Sequence, residues 1–353
     1  MVVITTLNIV VVLMAYLARI EKHRYLLAWA FILLAFVLGI RYGYGNDFFA
    51  YKYMFDHGYP DAGYADDVEP GWFFINKLFR PFGFSAFVFI LTAVEHILLY
   101  NLIHRYVPPQ YYWLAVFIYV FNTGYMLIGS SMMRQFLVQI LGIYAMGYAI
   151  KKRIIPFLII ILLGFTIHKV ALLLLPLYFI PYIKTPRWWA FLIILVVFYF
   201  VLNNMGRIID QIVVLIQHTD MKYADSYLND QVLGGEYKLG IKNILPFIIY
   251  FIFFARNIKN LPIENQAYSW MVVFSLFIVP FGLMFPMALR LVWVYSFAEI
   301  IVLPLLIYNE RLPFLKYTLL MLYIVSLLLQ YKAFFSSETY GPYFTNFKTL
   351  FFS

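Results

Sequence analysis

Ionisable side chains in apolar surroundings are the residues of this 353-residue chain whose chemistry needs explaining first. A charge at membrane depth is costly, so such a side chain is by default a candidate for function. Arg134 and its neighbour Gln135 stand between two apolar runs, and no acid in the local sequence neutralises Arg134. Arg134 therefore needs an anionic partner, which is either a distant carboxylate or a ligand phosphate.

A second group of candidates follows the apolar run that ends at Arg41, and it extends through Asp47 to Tyr51. Gly43 and Gly45 permit tight backbone geometry between them. Arg41 and Asp47 could therefore converge on one site. The alternative is an arginine at a helix end that extends its charge toward the lipid headgroups, with an ordinary loop behind it.

Glu69 stands directly before Pro70 and Gly71, which is typical of the start of a short helix. In that position the carboxylate would be a cap-like group near the helix N-terminus. The pattern of residues 72–79 predicts an amphipathic helix at the membrane interface. We therefore favour a structural interpretation of Glu69, with substrate binding as the alternative.

His168 lies in the middle of the apolar segment 154–183, which at roughly thirty residues is long for one span and short for two. Basic clusters precede this segment at Lys151–Arg153 and follow it at Lys184 and Arg187. If both clusters lie on one side of the membrane, the segment must enter and return, which predicts two short helices with His168 at their apex. A lone histidine is usually a satisfied core residue, but at such an apex it can transfer protons near neutral pH.

Arg290 begins a late apolar run and is followed by Tyr295. Glu299 lies roughly 13 Å further along a helix, so Arg290 and Glu299 are not expected to form a simple ion pair. We interpret the other acids within apolar runs as structural: Glu299 itself, and Glu95 as an internal pair with His96.

Three arginines and one histidine at one membrane face would suit a phosphorylated lipid. Arg41, Arg134 and Arg290 could hold a diphosphate, because guanidinium groups bind its oxygens bidentately and stay charged. The sequence contains no P-loop, nucleophile elbow, H-E-x-x-H zinc motif or EF-hand, and no D-x-D carboxylate pair. We therefore predict electrostatic catalysis with no metal and no other cofactor.

The elements that must position these residues are predicted to be membrane-spanning helices. Hydrophobic residues make up 64% of the chain and charged residues 12%, whereas about a quarter of a soluble domain is charged. Lipid must therefore be the solvent for most of the surface. With two short helices in 154–183, the apolar runs predict an all-α, single-domain membrane protein (1–353) of about twelve transmembrane helices, or eleven if 154–183 is one helix. The other runs are 2–20, 25–40, 84–103, 111–129, 132–150, 188–203, 242–256, 266–287, 289–308 and 313–331.

The distribution of Lys and Arg predicts the orientation of these helices. With the N-terminus outside, the excess positive charge gathers in short cytoplasmic turns, so the net charge of +9 is a topology signal and not a nucleic-acid surface. Two longer loops, 41–83 and 204–241, and the tail 332–353 then lie outside. The absence of cysteine excludes disulfides and thiolate catalysis. The basic turns contain Arg19, Lys22, Arg24, Arg105, Lys151, Lys152, Arg153, Lys184, Arg187, Arg256, Lys259, Arg311 and Lys316.

At these residues the chain resembles the EpsG-like family of bacterial polysaccharide polymerases, part of the wider Wzy-type group. One match is the run Arg41–Tyr51, with the acid, proline and glycine of Glu69–Gly71 behind it. Another is Arg134–Gln135 at the start of a span, followed by a basic turn and an apolar hairpin that contains Phe165–His168. The last is Arg290–Tyr295 on a late span.

The resemblance implies a membrane-embedded, GT-C-like glycosyltransferase. Such an enzyme would move a growing glycan from its undecaprenyl diphosphate carrier onto the next lipid-linked repeat unit, at the outer face of the bacterial cytoplasmic (inner) membrane. The product would be an O-antigen, capsule or exopolysaccharide. The implied partners are the lipid-linked donor and acceptor, membrane lipids, a chain-length regulator and a flippase, and no nucleic acid.

A compatible mechanism follows from the residues themselves. The three arginines would neutralise the leaving diphosphate, and His168 or Asp47 would accept the proton of the acceptor hydroxyl. Direct displacement would invert the anomeric centre. The residues predicted to contact substrate or diphosphate are Arg41, Tyr51, Glu69, Arg134, Gln135, Arg290 and Tyr295.

Three other functions compete with this interpretation. A flippase for lipid-linked oligosaccharides, or another transporter, fits twelve spans but should show related halves and polar residues near the bilayer midplane. A membrane-bound acyltransferase can use an intramembrane histidine but leaves the arginines unexplained. An O-antigen ligase is close in chemistry, and the sequence separates it poorly from a polymerase.

Overall fold

The computed structural model describes residues 1–58, 69–185, 188–204, 207–208, 211, 241–284 and 286–351. Most of the predicted loop 204–241 therefore lies outside the described residues. The described chain is almost entirely helical, and its strands are β1 (Arg41–Tyr42) and β2 (Lys348–Thr349). The first eight helices are α1 (Val2–Leu17), α2 (Tyr25–Gly39), α3 (Phe48–His57), α4 (Pro70–Phe79), α5 (Phe84–Tyr106), α6 (Tyr112–Phe121), α7 (Leu127–Ser131) and α8 (Met133–Ile150). After α9 (Ile154–Ile167) and a 3₁₀ helix (Lys169–Tyr182) come α10 (Trp188–Asn203), α11 (Ile241–Asn257), α12 (Ile263–Met284), α13 (Pro286–Ser296), α14 (Glu299–Asn309), α15 (Pro313–Phe335) and α16 (Gly341–Phe344).

Long apolar helices confirm an all-α membrane protein. Within the described residues, three helical stretches are long and apolar enough to cross a membrane: Glu21–Gly39, Phe84–Tyr106 and Pro313–Phe335. A bent pair, Leu289–Ser296 and Glu299–Asn309, adds a fourth if it is one span. Several apolar helices are shorter, α1 and α9 among them. The total of twelve crossings and the GT-C-like arrangement stay predictions.

Two apolar runs that the sequence predicts as continuous are broken. The run 111–129 divides into α6 and α7, because Asn122 is extended and its side-chain carbonyl accepts a hydrogen bond from the Gly124 N–H at 3.1 Å. A Cβ atom at Gly124 would lie 2.5 Å from the indole nitrogen of Trp293, so the close approach requires glycine. The run 289–308 bends by 51° between α13 and α14.

The segment 154–183 forms two helices, as predicted, with His168 between them. Helix α9 and the 3₁₀ helix pack antiparallel to each other. The rings of Phe157 and Tyr178 lie 5.2 Å apart, and the Tyr178 hydroxyl donates to the Lys152 carbonyl. The second helix contains Pro176 and Pro181, which lack the N–H that an α-helix needs, and it adopts the 3₁₀ form. That form rises about 2.0 Å per residue and reaches further than α9 with the same number of residues.

The segment 41–47 and the C-terminal tail meet at one end of the bundle. Strand β1 pairs antiparallel with β2, with Arg41 opposite Thr349, and the Gly45 N–H donates to the Tyr343 carbonyl at 3.2 Å. In its described parts, 41–58 and 69–83, the predicted loop 41–83 is largely structured, since it contains β1, α3 and α4. We name this end of the bundle, with Asp47, Glu69, Arg134 and His168, the site face.

The opposite end contains the turns after α5, α8 and α11, and we name it the basic face after Arg105, Lys151–Arg153 and Arg256. Helix α8 connects the two faces and is about 27 Å long. Helices α6 and α14 are buried on almost every side and form the centre of the core. Helix α9 buries only a stripe at Phe157, Ile161, Gly164 and Ile167, which leaves its other sides to lipid.

Candidate functional site

Glu69 is the centre of the polar cluster at the site face, and its side chain is 5% exposed. One carboxylate oxygen accepts a hydrogen bond from the guanidinium of Arg134 at 2.6 Å. The other lies 3.1 Å from Nδ1 of His168 and accepts the Lys169 N–H at 3.3 Å. One acid thus joins three segments that are far apart in the sequence.

The start of α4 places Glu69 in this position. Glu69 is the N-cap residue and Pro70 the first helical residue, as the sequence predicts. The predicted cap-like role is wrong, however, because the Glu69 side chain makes no capping hydrogen bond and turns toward Arg134 and His168. A Cβ atom at Gly71 would collide with Thr166, so only glycine lets α4 begin against the end of α9. The sequence signal that was available is the unneutralised Arg134, which required a distant carboxylate or a phosphate.

The charges around Glu69 keep it ionised. Burial alone would raise its pKa, but the hydrogen bond from His168 and the positive charge of Arg134 lower it to about 2. An ionised carboxylate accepts the Nδ1–H of a neutral imidazole, which leaves Nε2 of His168 as the basic nitrogen. The His168 side chain is 18% exposed, so a substrate can reach it.

Arg134 is held from a second side by Tyr51. Its Nε lies 3.5 Å from the Tyr51 hydroxyl, and its guanidinium lies 5.6 Å from the centre of the Tyr51 ring. Tyr51 in turn packs edge-on against Trp72 at 5.8 Å, which links α3 to α4. The Arg134 side chain is 23% exposed, whereas Tyr51 is buried. Tyr51 therefore supports Arg134 from behind.

Asp47 and Arg290 stand near this cluster. Burial raises the pKa of Asp47, and the positive charges of Arg290 and Arg134 oppose that rise. The Asp47 N–H donates to the hydroxyl of Ser131 at 3.1 Å, which fixes the start of α3 against the end of α7. Arg290 is half-buried, and its carbonyl accepts a hydrogen bond from the Gln135 amide at 3.2 Å. Among the described residues no carboxylate forms an ion pair with Arg290.

Arg41 is not brought to this cluster, and the predicted convergence of three arginines is not seen. Its side chain is buried, and its guanidinium donates to the Leu38 carbonyl, the Thr92 hydroxyl and the Ser130 carbonyl at 2.5, 3.0 and 2.8 Å. These acceptors inside the bundle compensate for burial of the charge. The positive φ of Gly43 and Gly45 then turns the chain, so that Asp47 reaches the neighbourhood of the cluster and the Arg41 side chain does not.

Two further predicted substrate contacts belong to the framework. Gln135 is 1% exposed and holds the backbone of Arg290. Tyr295 is buried, and its hydroxyl donates to the Leu173 carbonyl at 2.6 Å, which ties α13 to the 3₁₀ helix. Both side chains position the cluster from beneath and do not line it.

Of the two acids interpreted as structural, Glu299 has a hydrogen-bond partner inside the bundle, whereas Glu95 is buried with one carboxylate oxygen unpaired among the described residues. Glu299 accepts a hydrogen bond from the Tyr125 hydroxyl at 3.1 Å. His96 is held by the Thr92 carbonyl at 2.7 Å and the Tyr119 hydroxyl at 3.1 Å, so its ring partners are not Glu95. Across the described ranges no three His, Asp or Glu side chains are grouped so that they could hold a metal ion. Metal independence stays a prediction.

The arrangement can bind an anion and accept a proton at the same place. His168 presents a basic nitrogen whose orientation is fixed by an ionised carboxylate, and Arg134 and Arg290 supply positive charge from two other helices. In comparisons with known proteins, a sequence model described as the EpsG family matches residues 24–347, a range that contains every residue of the cluster. No curated protein and no solved structure matches the chain significantly.

Proposed function

The chain belongs to the EpsG family, and on that premise we propose that it is a membrane glycosyltransferase that polymerises undecaprenyl-diphosphate-linked repeat units at the outer face of the cytoplasmic membrane. The observation that supports this function best is the histidine oriented by a carboxylate, with two arginines beside it. Acceptor deprotonation and departure of a diphosphate need these two features within one site.

The reaction is a single displacement. The acceptor hydroxyl oxygen forms a bond to the anomeric carbon of the donor glycan, while the bond from that carbon to the diphosphate oxygen breaks. The hydroxyl proton passes to Nε2 of His168, and the electron pair of the broken bond stays with the diphosphate. Attack from the side opposite the leaving group inverts the anomeric centre and needs no metal ion.

His168 is the better supported of the two candidate bases. Its Nδ1 is held 3.1 Å from the ionised Glu69, and an acid in this position also stabilises the imidazolium that proton transfer creates. Asp47 lies within the field of Arg290 and Arg134. Burial still raises the pKa of Asp47 overall, but a carboxylate is ordinarily a weaker base than an imidazole, so Asp47 is the second candidate.

Arg290 and Arg134 have different roles in stabilising the diphosphate. Arg290 has no ion-pair partner among the described residues, so its charge is available to the departing diphosphate. Arg134 already binds Glu69 and adds a second positive charge at the same place. A diphosphate gains negative charge as the glycosidic bond breaks, and fixed cations therefore stabilise the transition state more than the ground state.

Arg41 is a positioning residue in this proposal. Its guanidinium holds the Ser130 carbonyl, and the next residue, Ser131, accepts the Asp47 N–H. Arg41 thereby fixes α7 at the point where Asp47 and the start of α8 meet.

Purified protein incubated with a lipid-linked repeat unit tests the function. A polymerase yields a ladder of increasing chain lengths, whereas a ligase yields one transfer to a different acceptor and a transporter yields no new glycosidic bond. A ladder that persists in the His168→Ala protein would contradict the proposed site. The His57→Ala protein is the matched control, since His57 is exposed at the C-terminal end of α3 and contacts Tyr53, not the residues of the cluster.

Cysteine labelling tests the orientation, because the natural chain has no cysteine. Lys77 on α4 and Lys152 at the basic face are both exposed. In intact cells, an impermeant thiol reagent should label Lys77→Cys and should not label Lys152→Cys. The reverse pattern would place the cluster on the cytoplasmic side and overturn the outer-face assignment.

A further inference from the structure

A cavity of about 400 Å³ opens at the basic face, at the far end of α8 from the cluster. It lies between the end of α5, the end of α8 and the start of α12. Arg105, Lys151 and Arg153 line it, with Glu264 as the acid. Three positive charges and one negative charge give the lining a net charge of +2. The proposed glycosyl transfer uses none of these residues.

The cations of this cavity have no carboxylate partner within the described part of the chain. Arg256 at the same face provides the contrast, because it binds Glu310 through two hydrogen bonds of 2.8 and 3.1 Å. Arg256 is therefore neutralised by an acid on this face, whereas among the described residues the three cations of the cavity are not. Glu264 lines the same cavity without pairing with any of them.

Tyrosine hydroxyl groups form the polar part of the wall. The Tyr268 hydroxyl donates to the Ile143 carbonyl at 3.1 Å and lies 3.5 Å from the Tyr106 hydroxyl. In the contact between the two hydroxyls Tyr268 is the donor and Tyr106 the acceptor, so the Tyr106 hydroxyl keeps its own proton for a ligand oxygen. Gly147 keeps the space open, because a Cβ atom there would lie 3.3 Å from the Tyr268 hydroxyl.

From this charge and geometry we propose that the cavity binds the phosphate group of an anionic ligand. Lys and Arg side chains with hydroxyl donors are the groups that recognise phosphate oxygens, and basic pockets between membrane helices hold phospholipid headgroups. An anionic phospholipid of the surrounding membrane is the most direct source of this phosphate group, and a soluble phosphate ester offers the same chemistry. The cations at the ends of α5 and α8 also serve as a topology signal and face helix C-termini, but neither task needs a cavity.

Retention of lipid by the purified protein tests the proposal. The full chain is placed in nanodiscs of phosphatidylcholine with a minor share of phosphatidylglycerol, and bound lipid is measured by native mass spectrometry. The Lys151→Gln protein should retain about fivefold less phosphatidylglycerol, and the variant with Arg105, Lys151 and Arg153 all changed to Gln about a hundredfold less. Lys152→Gln is the matched control, since Lys152 stands in the same turn but its ammonium lies over the ring of Tyr182 and outside the cavity.

Two more arms make the result decisive. Gly147→Leu fills the cavity without changing the charge or the topology signal, and it should lower retention as Lys151→Gln does. Glycerol phosphate added to protein in detergent tests the soluble source, and binding that depends on Lys151 but not on Lys152 would support a phosphate site filled from solution. Equal retention of both lipids together with no binding of glycerol phosphate would overturn the proposal. An equal loss in the Lys151→Gln and Lys152→Gln proteins would do the same.

Discussion

Two glutamates at opposite faces of the molecule, Glu69 and Glu310, are held by similar interactions but have different roles. Hydrogen bonding within each cluster lowers the pKa of Glu69 and of Glu310 to about 2. Glu310 accepts from Arg256, from the Asn257 amide and from the Leu312 N–H, none of which exchanges a proton near neutral pH. Glu69 accepts hydrogen bonds from an arginine and from a histidine, and the histidine does exchange a proton near neutral pH.

The difference lies in the partners and not in the strength of the interaction. Glu310 ties the end of α11 to the turn between α14 and α15, and that is a purely structural task. Glu69 holds side chains that are 23% and 18% exposed and that belong to α8 and to the apex of the hairpin. A lowered carboxylate pKa therefore does not by itself mark a functional site, whereas a titratable and accessible partner does.

The largest effect is expected from His168. Changing it to Ala should reduce polymer formation about 10²–10⁴-fold, because a general base contributes that much to proton transfer. Binding of the lipid-linked donor should be largely retained, since the arginines remain. Polymer length on gels and donor binding are measured on the same preparation. Loss of donor binding would instead assign His168 to the binding site.

Removing the arginines should cost less. Arg290→Ala or Arg134→Ala should raise the barrier by about 2.7–4 kcal/mol, a rate loss of about a hundredfold or more, by analogy with loss of one oxyanion donor. Lysine at either position should rescue only in part, because a point charge does not reproduce the bidentate fork of a guanidinium. Initial rates with saturating donor measure the effect. Full-length polymer at the normal rate from either Ala variant would contradict a diphosphate site here.

Arg41→Ala should mainly change stability. It removes three hydrogen bonds from a charged donor inside the bundle, and at about 1.5 kcal/mol each their loss should lower the free energy of unfolding by about 4–5 kcal/mol. Thermal unfolding in detergent measures the loss, and donor affinity of the remaining folded protein should stay within a fewfold of normal. A selective loss of donor affinity at unchanged stability would return Arg41 to the diphosphate site.

The smallest effect is expected at the basic face. Arg256 is 41% exposed, so Arg256→Ala should lower stability by only about 1 kcal/mol. Activity per folded molecule should not change. A large loss of activity at normal stability would show that the ion pair of Arg256 and Glu310 also has a functional role, which would contradict the contrast with Glu69.

The sequence predicted the helices better than the site, for a physical reason. The apolar runs and the two-helix form of 154–183 follow from local composition and flanking charge. The need of Arg134 for an anionic partner also followed, because an unpaired charge in apolar surroundings is costly. That the partner is Glu69 could not be predicted, since the pairing depends on the close approach of Gly71 and Thr166 across the fold. The placement of Arg41 was missed because two backbone carbonyls and the Thr92 hydroxyl compensate for its charge, and the carbonyls leave no sequence signal.

The pH dependence of the initial rate, measured for the Glu69→Gln and Glu310→Gln proteins beside the natural one, tests the central claim most directly. Burial lowers the pKa of His168, which lies in the turn between α9 and the 3₁₀ helix, and the hydrogen bond to Glu69 raises it. A base works when neutral, so the rate falls as the pH drops through its pKa, and Glu69 stays ionised far below that range. Loss of the Glu69 charge should move this acid limb to lower pH and reduce the maximal rate. The Glu310→Gln profile should match that of the natural protein. A Glu69→Gln profile with an unshifted acid limb, or an equal shift in the Glu310→Gln protein, would contradict the account of a base oriented by Glu69.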